Sequence, residues 1–272
     1  MRTIRTIAIL PTMFTLGNLV CGFFGIVIAS RVDAPATALG DLAKDPTNCM
    51  YSAFLIFLAM VFDALDGYVA RLSRTASDFG AELDSLCDVI TFGVTPAFLL
   101  VKMCPRFAYF HRDAVWVIAA SYAACAALRL ARFNVETSDD DEHLHFSGLP
   151  SPAAAGAIAG FAIMFYTLRK EDNPLLYATH IDTVLQTVLP FFAILVALLM
   201  VSRIPYPHVV NQIFRGQRSF AQLVAVIFTL VAIMVFRGYA LPIVFAAFTL
   251  YGPARFGWEK LVQRRHQEES LF

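Results

Sequence analysis

Asp63, Asp66, Asp84 and Asp88 are the side chains of this 272-residue chain whose type and spacing can do chemistry. Asp63 and Asp66 close the apolar run YSAFLIFLAMVF, and Asp84 and Asp88 come just before VITFGVTPAFLL. A carboxylate within a transmembrane segment costs about 2.5–3.5 kcal/mol on insertion scales, so four of them call for neutralising cations. With no His or Cys ligand pattern among them, they make a hard, all-oxygen donor set. Such a set favours Mg²⁺, Mn²⁺ or Ca²⁺ over zinc or copper. Two ions of this kind about 3.5–4 Å apart can clamp a pyrophosphate and stabilise the entering and leaving oxygens of a displacement.

Helical geometry gathers these acids. Gly67, Ala70 and Arg71 follow Asp63 at offsets of 4, 7 and 8, which is one helical face, and Asp66 borders it. Gly80, Asp84 and Asp88 fall at successive offsets of four on the next helix. Between them, residues 72–79 (LSRTASDF) supply Ser, Thr and Asp for a short turn and a helix cap. Two antiparallel helices joined in this way set both acidic faces opposite each other near the cytoplasmic surface. Gly67 and Gly80 let a bulky ligand approach the backbone, and Arg71 offers a forked donor for phosphate. Two other uses of the acids are open to a sequence of this kind. They can pair with Arg71 and Arg74 to tie the helices together, although four carboxylates outnumber two arginines. They can also relay protons or carry ions in a transporter.

The elements that must position these residues are membrane helices. Hydrophobic residues make up 58% of the chain and charged residues 15%, and mean hydropathy is +0.64. At about 20 apolar residues per span, that supply suits about eight transmembrane helices. The predicted runs are 10–30, 48–71, 80–102, 113–132, 150–168, 183–202, 219–236 and 238–256, the last two separated only by Arg237 and Gly238. The expectation is an all-α polytopic helix bundle with one transmembrane domain over 1–256 and a short polar tail over 257–272. A β-barrel would instead show alternating segments of about ten residues. Counting basic residues by side gives 13 with the N-terminus and 8 opposite, which puts both termini inside. Zero net charge leaves no electrostatic footprint for nucleic acid. The five cysteines contain no CxxC pair, so neither a disulfide nor a zinc framework is expected. His143 and His145, in the polar loop 134–147, lack nearby partners for a metal site.

The segment from Asp63 to Asp88 resembles the signature of the CDP-alcohol phosphatidyltransferases, D-x2-D-G-x2-A-R-x8-G-x3-D-x3-D. Asp63, Asp66, Gly67, Ala70, Arg71, Gly80, Asp84 and Asp88 match it at every position and spacing. The resemblance implies a membrane enzyme that displaces CMP from a CDP-linked lipid by the hydroxyl of an acceptor alcohol, using two divalent ions, Mg²⁺ or Mn²⁺. It implies that Asp63, Asp66 and Asp84 bind metal and that Asp88 is both a ligand and the general base. Gly67, Ala70, Arg71 and Gly80 would line the nucleotide and pyrophosphate site. A homodimer in a bacterial inner membrane, with its active site at the cytoplasmic face, completes that expectation.

Further stretches resemble the phosphatidylserine synthase branch of the family: Leu10–Ile26, Ser77–Ala97, Arg129–Val135, Phe146–Ala155 and Ser202–Pro207. Thr12 departs from that pattern, where asparagine commonly follows the proline. This resemblance implies CDP-diacylglycerol as donor and L-serine as acceptor. Glycerol-3-phosphate and inositol phosphate, the alternative acceptors for the same chemistry, carry a phosphate and would call for a denser arginine cluster. Serine's carboxylate needs a cation, for which Arg129 and Arg132 at the inner end of the fourth span are candidates, alongside their ordinary use as anchors. Asn134 can orient a substrate group or cap its helix. Asn18, an amide within the first span, needs a partner, either the nucleotide or a neighbouring helix. The stretch Gly148–Gly156 reads as a tightly packed start to the fifth span.

Overall fold

The computed structural model describes residues 9–32, 47–73, 78–138, 148–169, 177–206 and 237–269, and among them every regular element is helical. The helices are α1 (Ile9–Ser30), α2 (Thr47–Ser73), α3 (Asp78–Asp88), α4 (Thr95–Met103), α5 (Pro105–Phe110), α6 (Arg112–Ser138), α7 (Ser151–Leu168), α8 (Ala178–Val201) and α9 (Ala240–Glu269). A π-helical segment, Val89–Val94, joins α3 to α4 without a break. Helices are the open-chain solution in lipid because each satisfies its backbone hydrogen bonds within itself.

Among the described residues, six stretches are long and apolar enough to cross a membrane: Pro11–Ser30, Thr47–Ala70, Phe79–Met103, Arg112–Val135, Ser151–Leu168 and Ala178–Val201. They coincide with the first six predicted runs, the sixth starting five residues earlier than expected. The predicted run 219–236 lies outside the described residues, as do Arg74 and both loop histidines. The predicted run 238–256 falls mostly in α9, which continues to Glu269 and is not one of the six. The chain is therefore an all-α, multi-pass membrane bundle. Its outer faces carry Phe23, Val117 and Leu198, each more than half exposed, as lipid contact requires.

At the centre of the bundle, α7 packs against α2, α4, α8 and α9. Its buried residues include Ala154, Ala155, Gly156, Ala157, Ala159, Gly160 and Ala162, and such small residues let membrane helices approach closely. The lead-in to α7 is pinned to the end of α8: the Gly148 N–H donates to the Ile204 carbonyl at 2.9 Å and the Leu149 N–H to the Leu199 carbonyl at 3.0 Å. Gly148 has φ +97°, and a Cβ there would meet the Met200 carbonyl oxygen at 2.5 Å, so this position requires glycine twice over. All five cysteines are free.

The other ends of α7 and α8 meet in a polar network. Arg169 Nε donates to Asp182 Oδ1 at 2.8 Å, and Gln186 Nε2 donates to Asp182 Oδ2 at 2.7 Å. The Arg106 N–H reaches Gln186 Oε1 at 3.2 Å, and its guanidinium reaches Thr183 Oγ1 at 3.2 Å. Arg169 also lies over the Phe165 ring, 4.9 Å from its centroid.

Candidate metal centre and active site

Asp63 and Asp66 project from α2 and Asp84 from α3, and one carboxylate oxygen from each lies within 4.8 Å of the other two. Asp66 is buried, Asp63 and Asp84 half-buried. Asp88, one turn beyond Asp84, is buried at 6% exposure and lies within coulombic range of the other three. Like charges this close repel strongly where water is scarce. Asp84 Oδ1 is buried with no hydrogen-bond partner. A cluster of hard oxygens with an orphaned, buried acceptor fits a divalent cation, which would supply the missing partner and offset the repulsion.

The first helix closes this centre from the side. Asn18 Nδ2 donates to Asp88 Oδ1 at 2.9 Å, and Thr15 Oγ1 donates to Asp66 Oδ2 at 2.7 Å. The register of α1 is held against the π-helical segment just beyond Asp88. Thr91 Oγ1 donates to the Asn18 carbonyl at 3.2 Å, and Thr95 Oγ1 contacts the Gly22 carbonyl at 3.1 Å and the Ile90 carbonyl at 2.9 Å. A Cβ on Gly22 would lie 2.9 Å from Thr91 Cα, so the two backbones meet there only because the side chain is missing.

On the remaining side stands α6. Arg129 is within coulombic range of both Asp63 and Asp88, and its Nη1 donates to Ser151 Oγ at 2.7 Å. This ties α6 to the start of α7. Asn134 Oδ1 accepts from Ser85 Oγ at 3.1 Å, and its Nδ2 approaches Glu82 Oε2 at 3.4 Å, linking α6 to α3. Arg132 is half-buried on the same helix. Gly67 and Ala70 on α2 and Gly80 on α3 are half-buried around the acids. Arg71 belongs to α2, and its side chain lies outside the described residues.

The spacing argument thus gathers Asp63, Asp66 and Asp84, with Asp88 adjoining them, and Asn18 makes its hydrogen bond to a neighbouring helix. Sequence reasoning passed over Thr15, Glu82, Ser85 and Ser151. Thr15 had a legible signal, since it lies three positions before Asn18 on the same face of an apolar helix. Ser85 and Ser151 had none, because a lone serine in a helix is common and only its neighbours give it meaning.

This all-helical membrane bundle with an oxygen-rich acidic centre matches the family model of CDP-alcohol phosphatidyltransferase over residues 8–199. The chain belongs to that family. It is similar to the CDP-diacylglycerol–serine O-phosphatidyltransferase of Methanocaldococcus jannaschii, 41% identical over 160 residues, covering 59% of this chain and 65% of that protein. It is also similar to the enzyme of that name in Helicobacter pylori, 30% identical over 213 residues, covering 75% of this chain and 74% of that one. The archaetidylserine synthase of Methanothermobacter thermautotrophicus is 31% identical over 210 residues, covering 76% of this chain and 73% of that protein. The match with the Methanocaldococcus relative thus spans just under two thirds of that protein's length.

Proposed function

We propose that this chain transfers a phosphatidyl group from CDP-diacylglycerol to L-serine, releasing CMP. The convergence of the Asp63, Asp66 and Asp84 carboxylates within 4.8 Å carries the reading, and the names of the similar proteins supply donor and acceptor. Asp63, Asp66, Asp84 and Asp88 would hold two divalent ions, Mg²⁺ or Mn²⁺. Ions bound there would screen the phosphate charges that otherwise repel a nucleophile.

The chain's own residues do the rest. Gly67, Ala70 and Gly80 leave space beside the acids for the diphosphate, and Arg71 forks onto it. Arg129 attracts the serine carboxylate, while Asn134 orients the acceptor and Arg132 adds positive charge at the rim. The serine hydroxyl oxygen bonds to the β-phosphorus as the bond from that phosphorus to the bridging oxygen breaks. The bridging oxygen leaves with CMP, and Asp88 takes the hydroxyl proton. A base beside the hydroxyl matters because serine is a weak nucleophile at its own pKa. The site faces the cytoplasm of a bacterial cell membrane, and two copies of the chain form a dimer.

CMP release from the purified protein, measured separately with serine, glycerol-3-phosphate and inositol phosphate, tests this reading. Release with serine alone is expected. Release only with a phosphorylated alcohol would move the acceptor assignment but keep the chemistry. No release with any alcohol, together with ion flux in liposomes, would replace the enzyme by a carrier.

A further inference from the structure

We propose that α1 is the positioning element of the acidic centre, with Thr15 orienting Asp66 toward the metal ions and Asn18 orienting Asp88. The proposal rests on the reading that these acids hold divalent cations. Thr15 is 4% exposed and Asn18 is fully buried, so neither reaches bulk solvent for an alternative partner. The Thr15 hydroxyl has one proton and two acceptors in reach, Asp66 Oδ2 at 2.7 Å and the Pro11 carbonyl at 3.2 Å. The shorter contact to a carboxylate is the stronger hydrogen bond.

Asn18 directs one amide hydrogen to Asp88 and leaves its own Oδ1 buried without a partner. An apolar residue of similar shape would avoid that desolvation cost, so packing alone does not account for an asparagine here. The unpartnered Oδ1 is available to accept from a donor brought into the centre, such as a metal-bound water. A carboxylate pinned through one oxygen has the direction of its second oxygen set as well. Asp66 is held through Oδ2 and Asp88 through Oδ1, so each carboxyl plane is fixed before an ion arrives.

The α1 register serves the same end. Sliding α1 by one residue would swing both donors by about 100° around its axis and out of reach of the acids. The contact of Gly22 with Thr91, and the 2.8 Å that would separate a Cβ on Gly25 from Thr95 Cγ2, leave no room for such a slide. The hydrogen bonds of Thr91 and Thr95 to the α1 backbone reinforce the lock.

The test uses the full chain in lipid nanodiscs with Thr15→Val, Thr15→Ser, Asn18→Leu and Asp63→Ala. Two readouts are taken: the Mn²⁺ concentration giving half-maximal thermal stabilisation without substrate, and kcat and KM for CDP-diacylglycerol. Groups that orient metal ligands are commonly worth 10–100-fold, so T15V should raise the half-saturating Mn²⁺ about tenfold, with T15S returning to within about twofold of the parent. N18L should lower kcat about 10–100-fold while KM for the CDP-lipid changes less than about twofold. If N18L cannot be recovered folded, Asn18→Ala removes the amide without added bulk and gives the same readout. A T15V protein that melts earlier but keeps the parent Mn²⁺ curve, or a folded Asn18 variant with parental kcat, would reduce α1 to a packing helix and overturn the proposal. Parental Mn²⁺ stabilisation in Asp63→Ala would instead overturn the metal-centre reading beneath it.

Discussion

Buried carboxylates occur at both ends of the bundle, and they are treated in opposite ways. Asp182, 3% exposed, has both oxygens engaged, one by the Arg169 guanidinium and the other by the Gln186 amide. The separation of the two places follows from α7. Its first residue, Ser151, is bonded to Arg129 beside the acidic centre, and Arg169 immediately follows its last residue. Eighteen helical residues put about 27 Å between the ends at about 1.5 Å per residue. At the near end, Asp66 and Asp88 accept from the neutral donors Thr15 and Asn18 of α1, the four acids outnumber Arg129, which is within coulombic range of Asp63 and Asp88, and Asp84 retains a buried oxygen with no hydrogen bond. A buried acid with its cation built in is structural. Acids crowded together, with an oxygen left over, are arranged for cations that come from outside.

Four measurements would break or sharpen this contrast. Asp63→Ala or Asp84→Ala should lower CMP release by about 10⁴-fold, about 5.4 kcal/mol at about 1.36 kcal/mol per tenfold, with little loss of melting temperature in the absence of metal. An improved metal-free stability would fit as well, because a repulsion is removed; a strong destabilisation would make the acids structural and erase the contrast. At the far end, Asp182→Ala leaves the half-buried Arg169 without its carboxylate, and breaking a fully buried pair costs about 3–5 kcal/mol of stability, which sets the upper bound here. Its melting temperature in nanodiscs should fall sharply while the Mn²⁺ dependence of the folded fraction stays unchanged. A shifted metal requirement would show that the two ends communicate.

Arg129→Ala should raise KM for serine about 20-fold, about 1.8 kcal/mol at about 1.36 kcal/mol per tenfold and within the range of about 1.5–3 kcal/mol for a hydrogen bond to a charged group, and should leave KM for the CDP-lipid nearly unchanged. An equal rise in both would put Arg129 on the diphosphate. The smallest effect is expected from Gly25→Ala, which crowds Thr95 Cγ2 and should cost about 1 kcal/mol of stability by overpacking. Its kcat should drop in proportion only if α1 sets the carboxylate directions.

The near end was largely legible in advance, and the far end was not. Asp63, Asp66, Asp84 and Asp88 announce themselves because charge inside an apolar run is costly and because their offsets follow the helical repeat. Arg169 and Asp182 sit beside the polar loop between two spans, where charged residues are ordinary. Nothing in their types says that they fold inward to meet Gln186. Asn18 was legible as an amide in need of a partner, but its choice of Asp88, 70 residues along the chain, was not. The π-helical segment Val89–Val94 also left no mark in the hydropathy pattern, which reads VITFGV as one more apolar turn.

Composition and spacing alone determined that this is a membrane bundle and where its first six spans lie. They also placed its acids on two consecutive helices, since burial in lipid and the 3.6-residue repeat are local constraints. Only the tertiary structure decided which oxygens are held by Thr15 and Asn18, that Arg129 stands near Asp63 and Asp88, and that Asp182 is neutralised by Arg169. Those outcomes depend on how each helix is rotated against its neighbours. Here that rotation is set by contacts such as Gly22 on Thr91, between residues far apart in the chain.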